Sequence, residues 1–405
     1  MPETLLMVIP PTVRIVDGKY EVENDYANNL CAYLDNFEHV TFACPVAQDG
    51  AQGILRSRPI SDICGANRLT YIRLPYTYRE DKHLLNYLST RRVLISEITK
   101  AKYLLFSPHA KYDWPTLGVR LAMELRRKYC IESDWDHQSV WDLQLRAMPL
   151  GVRKLRKSLW ARSFVTQVTR CMAHSSVALL QGQEVYDAYK TIAPNPQKAL
   201  NVQVSADDQI SAAALRQKLE EISRGTPLSI VYAGRMIEMK GPLDWLNAIA
   251  AASESGVALK ADWCGDGPLM GEMRREIDRL SLVQQVSLCG VLSREELMTR
   301  LRRAHIFLFC HKTGESPRCL SEALATGCAL VGYTGAFPRD LVAGHGGGEF
   351  VERHNWRMLA SMISALDRNR PRLAQLVEAA ASSGKQLDRT AAITHRIELI
   401  RRYLA

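Results

Sequence analysis

Several things are missing from this sequence, and each absence removes a class of protein. There is no run of about 18 apolar residues, so no segment reads as a membrane-spanning helix. The longest apolar stretches, such as "TLLMVIPP" and "IFLFC", have strand length. The ten cysteines include no C-x-x-C pair. Cys44, Cys264, Cys289, Cys310 and Cys328 sit in or beside strand-like apolar runs, which speaks for buried free thiols rather than a disulfide or zinc framework. The N-terminus lacks a charged region followed by an apolar one, so no secretory signal is visible and a cytoplasmic protein is expected. No internal repeat or low-complexity tract occurs. Basic residues are not interleaved with aromatics, which argues against nucleic acid as a partner.

What is present is a chain of 405 residues, 47% apolar and 23% charged, with a formal charge of +9. The length calls for two domains. The excess positive charge suits anionic membrane or phosphorylated small molecules better than nucleic acid. Apolar runs alternate with helix-length segments almost throughout. "LLMVIP", "HVTFACPV", "LTYIRLPY", "YLLFSP", "YCIES" and "SVALLQG" occupy the first half. "LSIVYAG", "VALKADWCG", "QVSLCG", "HIFLFC", "ALVGY" and "GEFV" occupy the second. The pattern predicts an α/β protein with parallel sheets covered on both faces. A polar junction over residues 192–226 divides it into domains at 1–195 and 196–383, with a C-terminal helix at 384–405. Ligands of such sheets bind beyond the carboxyl ends of the strands, and with two facing domains the natural site is a central cleft.

The loops after the second-half strands carry the chemistry. "GRMIEMKG" places Arg235 and Lys240 after a strand, with Gly234 and Gly241 beside them. Two cations, open backbone and a helix N-terminus from about Pro242 suit a diphosphate. "GDGP", starting at Gly265, is a tight turn. In "CGVLSREEL", Ser293 and Glu296 have capping-box spacing. That cap holds the backbone of Val291 and Leu292 at a strand end, where it can meet a nucleobase edge. In "HKTGESPRCLSEALATGCALVGY", Pro317 is expected at the first position of a helix whose apolar side contains Leu320, Ala323 and Leu324. Glu315, Arg318 and Glu322 are left toward the strand edge. A carboxylate there can accept hydrogen bonds from vicinal hydroxyls, and the helix N-terminus can take a phosphate.

Taken in order over about a hundred residues, "GRMIEMKG", "GDGP", "CGVLSREEL" and "ESPRCLSEALATGCALVGY" resemble the donor-binding domain of the retaining nucleotide-sugar glycosyltransferases of GT-B fold (glycosyl transferases group 1, glycosyltransferase family four). The likeness is strong over residues 228 to 343 and extends to the first half in layout only. It implies two Rossmann-like domains and a C-terminal helix able to cross back to the first. It also implies that Arg235 and Lys240 neutralise the donor diphosphate and Glu322 binds the ribose. Gly234, Gly265, Val291, Leu292 and the loop Glu315, Ser316, Pro317, Arg318, Cys319 would line the donor site, with Leu320 beyond them. The family's two glutamates are usually separated by seven residues. Here six separate Glu315 from Glu322, and alignment on the Pro-Arg step puts Gly314 at the first glutamate's place.

The implied activity is transfer of a sugar from a nucleoside diphosphate to a saccharide or lipid-linked acceptor, in polysaccharide or glycoconjugate synthesis. It would proceed with retention and with no metal or other cofactor, since no Asp-x-Asp motif lies near these loops. The alternatives on this fold are a catalytically silent nucleotide-sugar-binding protein and a sugar-nucleotide epimerase or phosphorylase. On the acceptor side, first-half strand ends offer Asp17 and Gly18, His109, and Asp134 with His137. In the family a His or Asp there touches the donor sugar or assists the acceptor. Asp134 and His109 are therefore candidate catalytic residues, beside Arg235, Lys240 and Glu315. Finally, residues 151–170 carry Arg153, Lys154, Arg156, Lys157 and Arg162 on a helix with Leu155, Leu159, Trp160 and Phe164. Such a helix can lie on the anionic inner face of a membrane.

Overall fold

The computed structural model describes residues 2–10, 12–47, 57–76 and 80–405. In its first part lie β1 (Thr4–Val8), β2 (Val13–Val16), β3 (Lys19–Glu23), β4 (His39–Pro45), β5 (Ser57–Pro59), β6 (Leu69–Leu74), β7 (Tyr103–Phe106), β8 (Cys130–Ser133), β9 (Val177–Leu180) and β10 (Pro196–Lys198). The second part contains β11 (Leu228–Ala233), β12 (Leu259–Cys264), β13 (Val286–Gly290), β14 (Ile306–Phe309), β15 (Ala329–Tyr333) and β16 (Gly348–Val351).

Seven of these strands form a parallel sheet in the order β10-β9-β8-β7-β1-β4-β6. Six form another, β13-β12-β11-β14-β15-β16, again with every pairing parallel. Both are doubly wound. The strand order reverses between β1 and β7 in the first and between β11 and β14 in the second, which is where such sheets open a ligand crevice. Central strands are buried along their whole length, as in β7 and β14. Helices therefore cover both faces, and the strands read as continuous apolar runs rather than alternating ones.

The chain separates into two compact units, one running to Leu200 and resuming at Thr390–Ala405, the other Asn201–Arg389. The boundaries fall later than the expected 195/196 and 383/384, for identifiable reasons. Pro196–Lys198 pairs with β9 and extends the first sheet. Residues 384–389 are tied to the second unit by Gln209, whose amide donates to Gly384 O at 2.9 Å, and by Arg389 N donating to Val204 O at 2.8 Å. The last helix, Arg389–Leu404, packs Ile393, Ile397, Ile400 and Leu404 into one face of the first sheet, among Leu30, Tyr33 and Phe37. Arg396 from that helix pairs with Glu132 of β8 and donates to Ala199 O at 3.0 Å.

A small antiparallel sheet, β2-β3-β5, was not legible as such. Asp17 and Gly18 form the two-residue turn of its hairpin, both at positive φ (48° and 75°), the geometry that Asp-Gly favours. Gly18 therefore lies at the tip of a hairpin that follows β1, and the hairpin's first residue, Val13, bridges in parallel to Val46 just beyond β4. No helix among the described residues is long and apolar enough to cross a membrane.

Buried histidines give the fold a pH signature, His137 and His305 among them. Burial, reinforced by His109, pushes His137 down to about 3, and burial with Lys218 and Arg370 nearby pushes His305 down to about 4. Above the ordinary value of 6.5 the rings are neutral in both folded and unfolded chains. Below it the unfolded chain takes up protons that the native one refuses, so stability falls as pH drops from 6.5 toward 4. Thermal melts over this window should show a falling Tm, and His137→Phe should flatten the slope; a Tm independent of pH would contradict the assignment.

Candidate active site

The loops after β11, β12, β13 and β14 interlock at the carboxyl edge of the second sheet. Gly234 N donates to Cys264 O at 2.9 Å, Met236 N to Asp266 O at 2.9 Å, and Gly265 N to Gly290 O at 2.7 Å. These contacts explain the glycines of "GRMIEMKG" and "GDGP". A Cβ on Gly265 (φ +146°) would lie 2.1 Å from Gly234 O, and one on Gly241 (φ +63°) 2.2 Å from Cys310 O. Gly265 therefore serves loop-to-loop packing, and its side-chain space is filled by backbone rather than open to a ligand. After β13, Gly290 at φ +65° turns the chain into Val291 and Leu292. The Ser293–Glu296 capping box then starts the helix Arg294–Arg303 as expected.

Lys240 was expected to stand in an exposed loop. The short turn Glu238–Lys240 and the left-handed Gly241 instead fold it inward to 9% exposure. Its Nζ lies 2.5 Å from Glu315 Oε2, across the point where strand order reverses between β11 and β14. Glu315 is itself 8% exposed. Its other oxygen, Oε1, is buried with no hydrogen-bond partner and lies 3.8 Å from His311 Nδ1. His311 shares a hydrogen bond of 2.8 Å with the Tyr232 hydroxyl, and burial, with Lys240 and Arg353 close by, holds it well below the usual histidine range. A reverse pair ties the same loops: Lys312 lies 2.6 Å from Glu238 and 3.6 Å from Asp244. Arg235 is exposed, and its guanidinium makes no hydrogen bond or ion pair with any described residue. So of the two expected cations one is free and one is held by a carboxylate.

The helix Arg318–Ala325 begins one residue later than expected, with Pro317 as its cap residue, and has no side-chain cap. The helix Pro242–Glu254 behind Gly241 is likewise without one. The first-turn amides of both helices are thus left to other acceptors. Ser316 is buried in the connecting loop, and Arg318, the first helical residue, is half-buried. Burial pushes the Cys319 thiol up to about 12 despite the proximity of Lys240, which makes it a poor nucleophile. Leu320, grouped with the donor-lining residues, lies in the first turn of this helix with its side chain fully buried.

Glu322 is 9% exposed, and its Oε1 accepts from Arg294 at 3.0 Å. The same guanidinium reaches Asp208 Oδ2 at 2.7 Å and Gln203 O at 2.8 Å. Burial alone would raise Asp208, but the Ser205 amide and Arg294 outweigh it and keep the carboxyl below its ordinary range. Sequence reasoning missed Arg294 and Asp208. The only signals were an arginine directly after the Ser293 cap and an Asp three residues after Ser205. It also missed Lys218, whose buried ammonium donates to Thr326 O at 2.8 Å and Gly327 O at 3.1 Å and pins the end of the helix bearing Glu322.

In the first unit, His109 follows β7 in a loop closed by Asp113. That carboxylate accepts from the amides of His109, Ala110 and Thr116 at 2.6, 2.7 and 2.9 Å. His109 packs against Trp135 at 4.7 Å between centroids, its ring tilted by 58°, and lies 6.5 Å from His137. Asp134 is exposed, whereas His137 is 3% exposed, packed edge-on against Phe164 at 5.2 Å, and reads as a core residue. His109 and Asp134 thus follow the adjacent parallel strands β7 and β8. Among the described residues no group of three His, Cys, Asp or Glu side chains is placed to hold a metal ion.

With this geometry established, comparison with known proteins is informative. Residues 216–383 match the family model of glycosyl transferases group 1. The chain is 29% identical over 149 residues to the provisionally named colanic acid biosynthesis glycosyltransferase WcaL of Escherichia coli K12, and 26% identical over 150 residues to that of Salmonella typhimurium LT2. These matches take in 35% and 36% of this chain and 37% of each relative, so the chain spans little more than a third of the curated relatives' length. Among solved structures, Anabaena HepE in complex with UDP and glucose superposes with a TM-score of 0.67 at 14% identity, over 97% of this chain and 98% of its own. Sucrose-phosphate synthase of Thermosynechococcus elongatus gives 0.71 at 14% identity over 98% of both chains. WaaG, a glycosyltransferase involved in lipopolysaccharide biosynthesis, gives 0.65 at 10% identity over 98% of this chain and 99% of its own. The likeness to glycosyl transferases group 1 thus lies over residues 216–383, and the chain has the GT-B fold.

Proposed function

We propose that this protein transfers a sugar from a nucleoside diphosphate to a saccharide or lipid-linked acceptor in polysaccharide or glycoconjugate synthesis, with retention of anomeric configuration and without a metal ion. The observation that carries the reading is the Lys240–Glu315 pair at the strand-order reversal, with unpaired Arg235 on the same loop and two helix N-termini lacking side-chain caps. In the transfer, the bond from the sugar's anomeric carbon to the diphosphate breaks and a bond to the acceptor oxygen forms on the same face. The acceptor's proton passes to the departing phosphate. Negative charge grows on the diphosphate as the sugar acquires oxocarbenium character. Arg235, Lys240 and the helix amides lie where that charge can be met, which makes a divalent ion unnecessary.

In this reading the diphosphate competes with Glu315 for Lys240. The buried, unpartnered Oε1 of Glu315 supports a role in accepting a sugar hydroxyl despite the one-residue displacement from the family's spacing. Glu322, held by Arg294, takes the ribose hydroxyls. The backbone at Val291 and Leu292 takes the base, and UDP, present in the HepE complex, is the nucleotide to try first. His109 and Asp134 are the acceptor-side candidates. The basic helix Val152–Ala173 is the surface an anionic membrane would meet. A second reading, nucleotide-sugar binding without turnover, draws on the same pair, because a Lys240 locked to Glu315 would not reach a diphosphate.

The decisive assay follows release of nucleoside diphosphate from a panel of nucleotide sugars, with EDTA present, and reads the product anomer by NMR. Turnover that survives chelation and retains configuration is expected. Tight donor binding with no release of diphosphate would favour the silent reading, and inversion or metal dependence would overturn the mechanism.

The ion pair separates stability from catalysis. Lys240→Ala leaves a buried carboxylate unpaired and should lower unfolding free energy by about 3 kcal/mol in urea titrations. Lys240→Met with Glu315→Leu should recover most of that stability while activity stays depressed by roughly a hundredfold or more. Full activity in the double variant would place the diphosphate elsewhere.

The ribose contact can be read by calorimetry. Glu322→Ala should weaken binding of the nucleoside diphosphate roughly tenfold and erase discrimination between ribose and deoxyribose forms. Arg294→Met should do so in part, as a positioning residue, by freeing Glu322. If neither variant alters that discrimination, the ribose does not lie on Glu322.

A further inference from the structure

We propose that the groove between helices His137–Arg146 and Val152–Ala173 of the first unit seats the phosphate headgroup and adjoining chain of an anionic membrane lipid. We further infer that the outer side of helix Glu80–Lys100 adds a second apolar contact with the same membrane. This deepens the assignment of the basic helix to a membrane surface and rests on it.

The groove has a volume of about 630 Å³. Trp141, Val152, Leu159 and Trp160 supply its apolar lining, and Arg153, Arg156 and Lys157 supply its charge. The two indoles meet edge-to-face at 5.0 Å, and the Lys157 ammonium stands 5.5 Å over the Trp141 ring. Trp160 stacks on Phe164 at 5.9 Å, and Phe164 meets His137, so the lining is braced from inside the unit. Indoles flanked by cations are the side chains that settle at a lipid headgroup boundary.

The helix behind this groove is split in purpose along its length. Its second half is anchored: Ala161, Phe164, Val168, Cys171 and Met172 are buried. Its first half is not, with Val152, Leu155 and Leu159 at 74%, 62% and 59% exposure, preceded by Leu150 at 91%. Positions 152, 155 and 159 recur at helical spacing and form one apolar stripe, which in water is an unfavourable exposure. The cations are equally out of place as stabilisers. Arg153, Lys154, Arg156 and Lys157 stand at the N-terminal end of a helix without a single acid, where the dipole opposes positive charge. Arg153, Arg156 and Lys157 form no ion pair with any described residue, and Lys154 turns back to Met148 O at 3.1 Å. An anion from outside satisfies the cations, and a chain attached to it covers the stripe. A free phosphate would do only the first.

Helix Glu80–Lys100 repeats the apolar half of the pattern. Leu84, Leu85 and Leu88 are 67%, 80% and 69% exposed near its start, which follows the carboxyl end of β6. It packs against helix Trp114–Glu124, which packs in turn against Val152–Ala173, so the three helices share one side of the first sheet.

Co-sedimentation of the full chain tests this, using vesicles of phosphatidylcholine alone and of phosphatidylcholine mixed with phosphatidylglycerol. Binding to the anionic vesicles only, weakened by salt and insensitive to inorganic phosphate, is expected. The charge reversal Arg153→Glu, Arg156→Glu, Lys157→Glu should weaken it roughly a hundredfold. Leu155→Gln with Leu159→Gln, and separately Leu84→Gln with Leu85→Gln and Leu88→Gln, should each weaken it about tenfold. All these positions are exposed except Lys157, which is half-buried, so far-UV circular dichroism and nucleotide binding should remain those of the wild type. Absence of vesicle binding would overturn both the groove and the membrane-facing reading. Vesicle binding undiminished in the variants would overturn the groove alone. Displacement by inorganic phosphate, or a dimer abolished by the same substitutions, would also overturn it. UDP binding, measured in parallel, reports on the glycosyltransferase reading independently.

Discussion

Two loops seventy-five residues apart are joined at Lys240 and Glu315, and the geometry of the second unit's site depends on that junction. The loops leave β11 and β14 where the sheet's winding reverses, so the helices that follow them diverge. A buried pair of this kind adds little net stability, because the desolvation of two ions offsets their attraction. Its persistence is better explained by chemistry. A lysine kept neutralised by a carboxylate can be buried and rigid before an anion arrives, whereas a bare one would remain in solvent. In the proposed transfer, the pair would preorganise a cation while the exposed Arg235 would provide first encounter.

Backbone packing is the second constraint. Gly241 and Gly265 allow main chain to approach main chain between neighbouring loops, at distances that any Cβ would violate, and Gly234 leaves room for the Tyr232 hydroxyl. Their role is to bring the loops after β11, β12 and β14 into one rim, on which Lys240 and Glu315 can meet. The same economy appears at the helix bearing Glu322. It is held at its end by Lys218 and at the carboxylate by Arg294, and both anchors come from segments distant in sequence.

These distances explain what could be read in advance. Strand runs such as "IFLFC" and "LSIVYAG" are buried on both faces, so each is written as an uninterrupted apolar word, and the two parallel sheets followed directly. The Ser293 capping box is local and was equally plain. The hairpin around Asp17 was hidden because its strands are short and half exposed, without the alternation that marks a sheet with one dry face. Lys240 looked like a loop cation because its burial is imposed by Gly241 and by a carboxylate on another loop. Arg294 and Asp208 lie 86 residues apart, and no spacing rule links them. Long-range electrostatics was therefore the part of the site that the chain did not display.

The distribution of pairing gives the net positive charge a location. In the second unit, three buried or half-buried cations near the site find carboxylates: Lys240 with Glu315, Lys312 with Glu238 and Asp244, Arg294 with Asp208 and Glu322. In the first unit, Arg396 finds Glu132 and Lys102 finds Glu3. The start of helix Val152–Ala173 breaks this habit, with cations clustered, no acid on the helix, and apolar side chains between them. A charge excess spread over the surface would serve solubility and nothing else. An excess gathered on one half-helix, against its own dipole, implies a partner that supplies both negative charge and apolar cover.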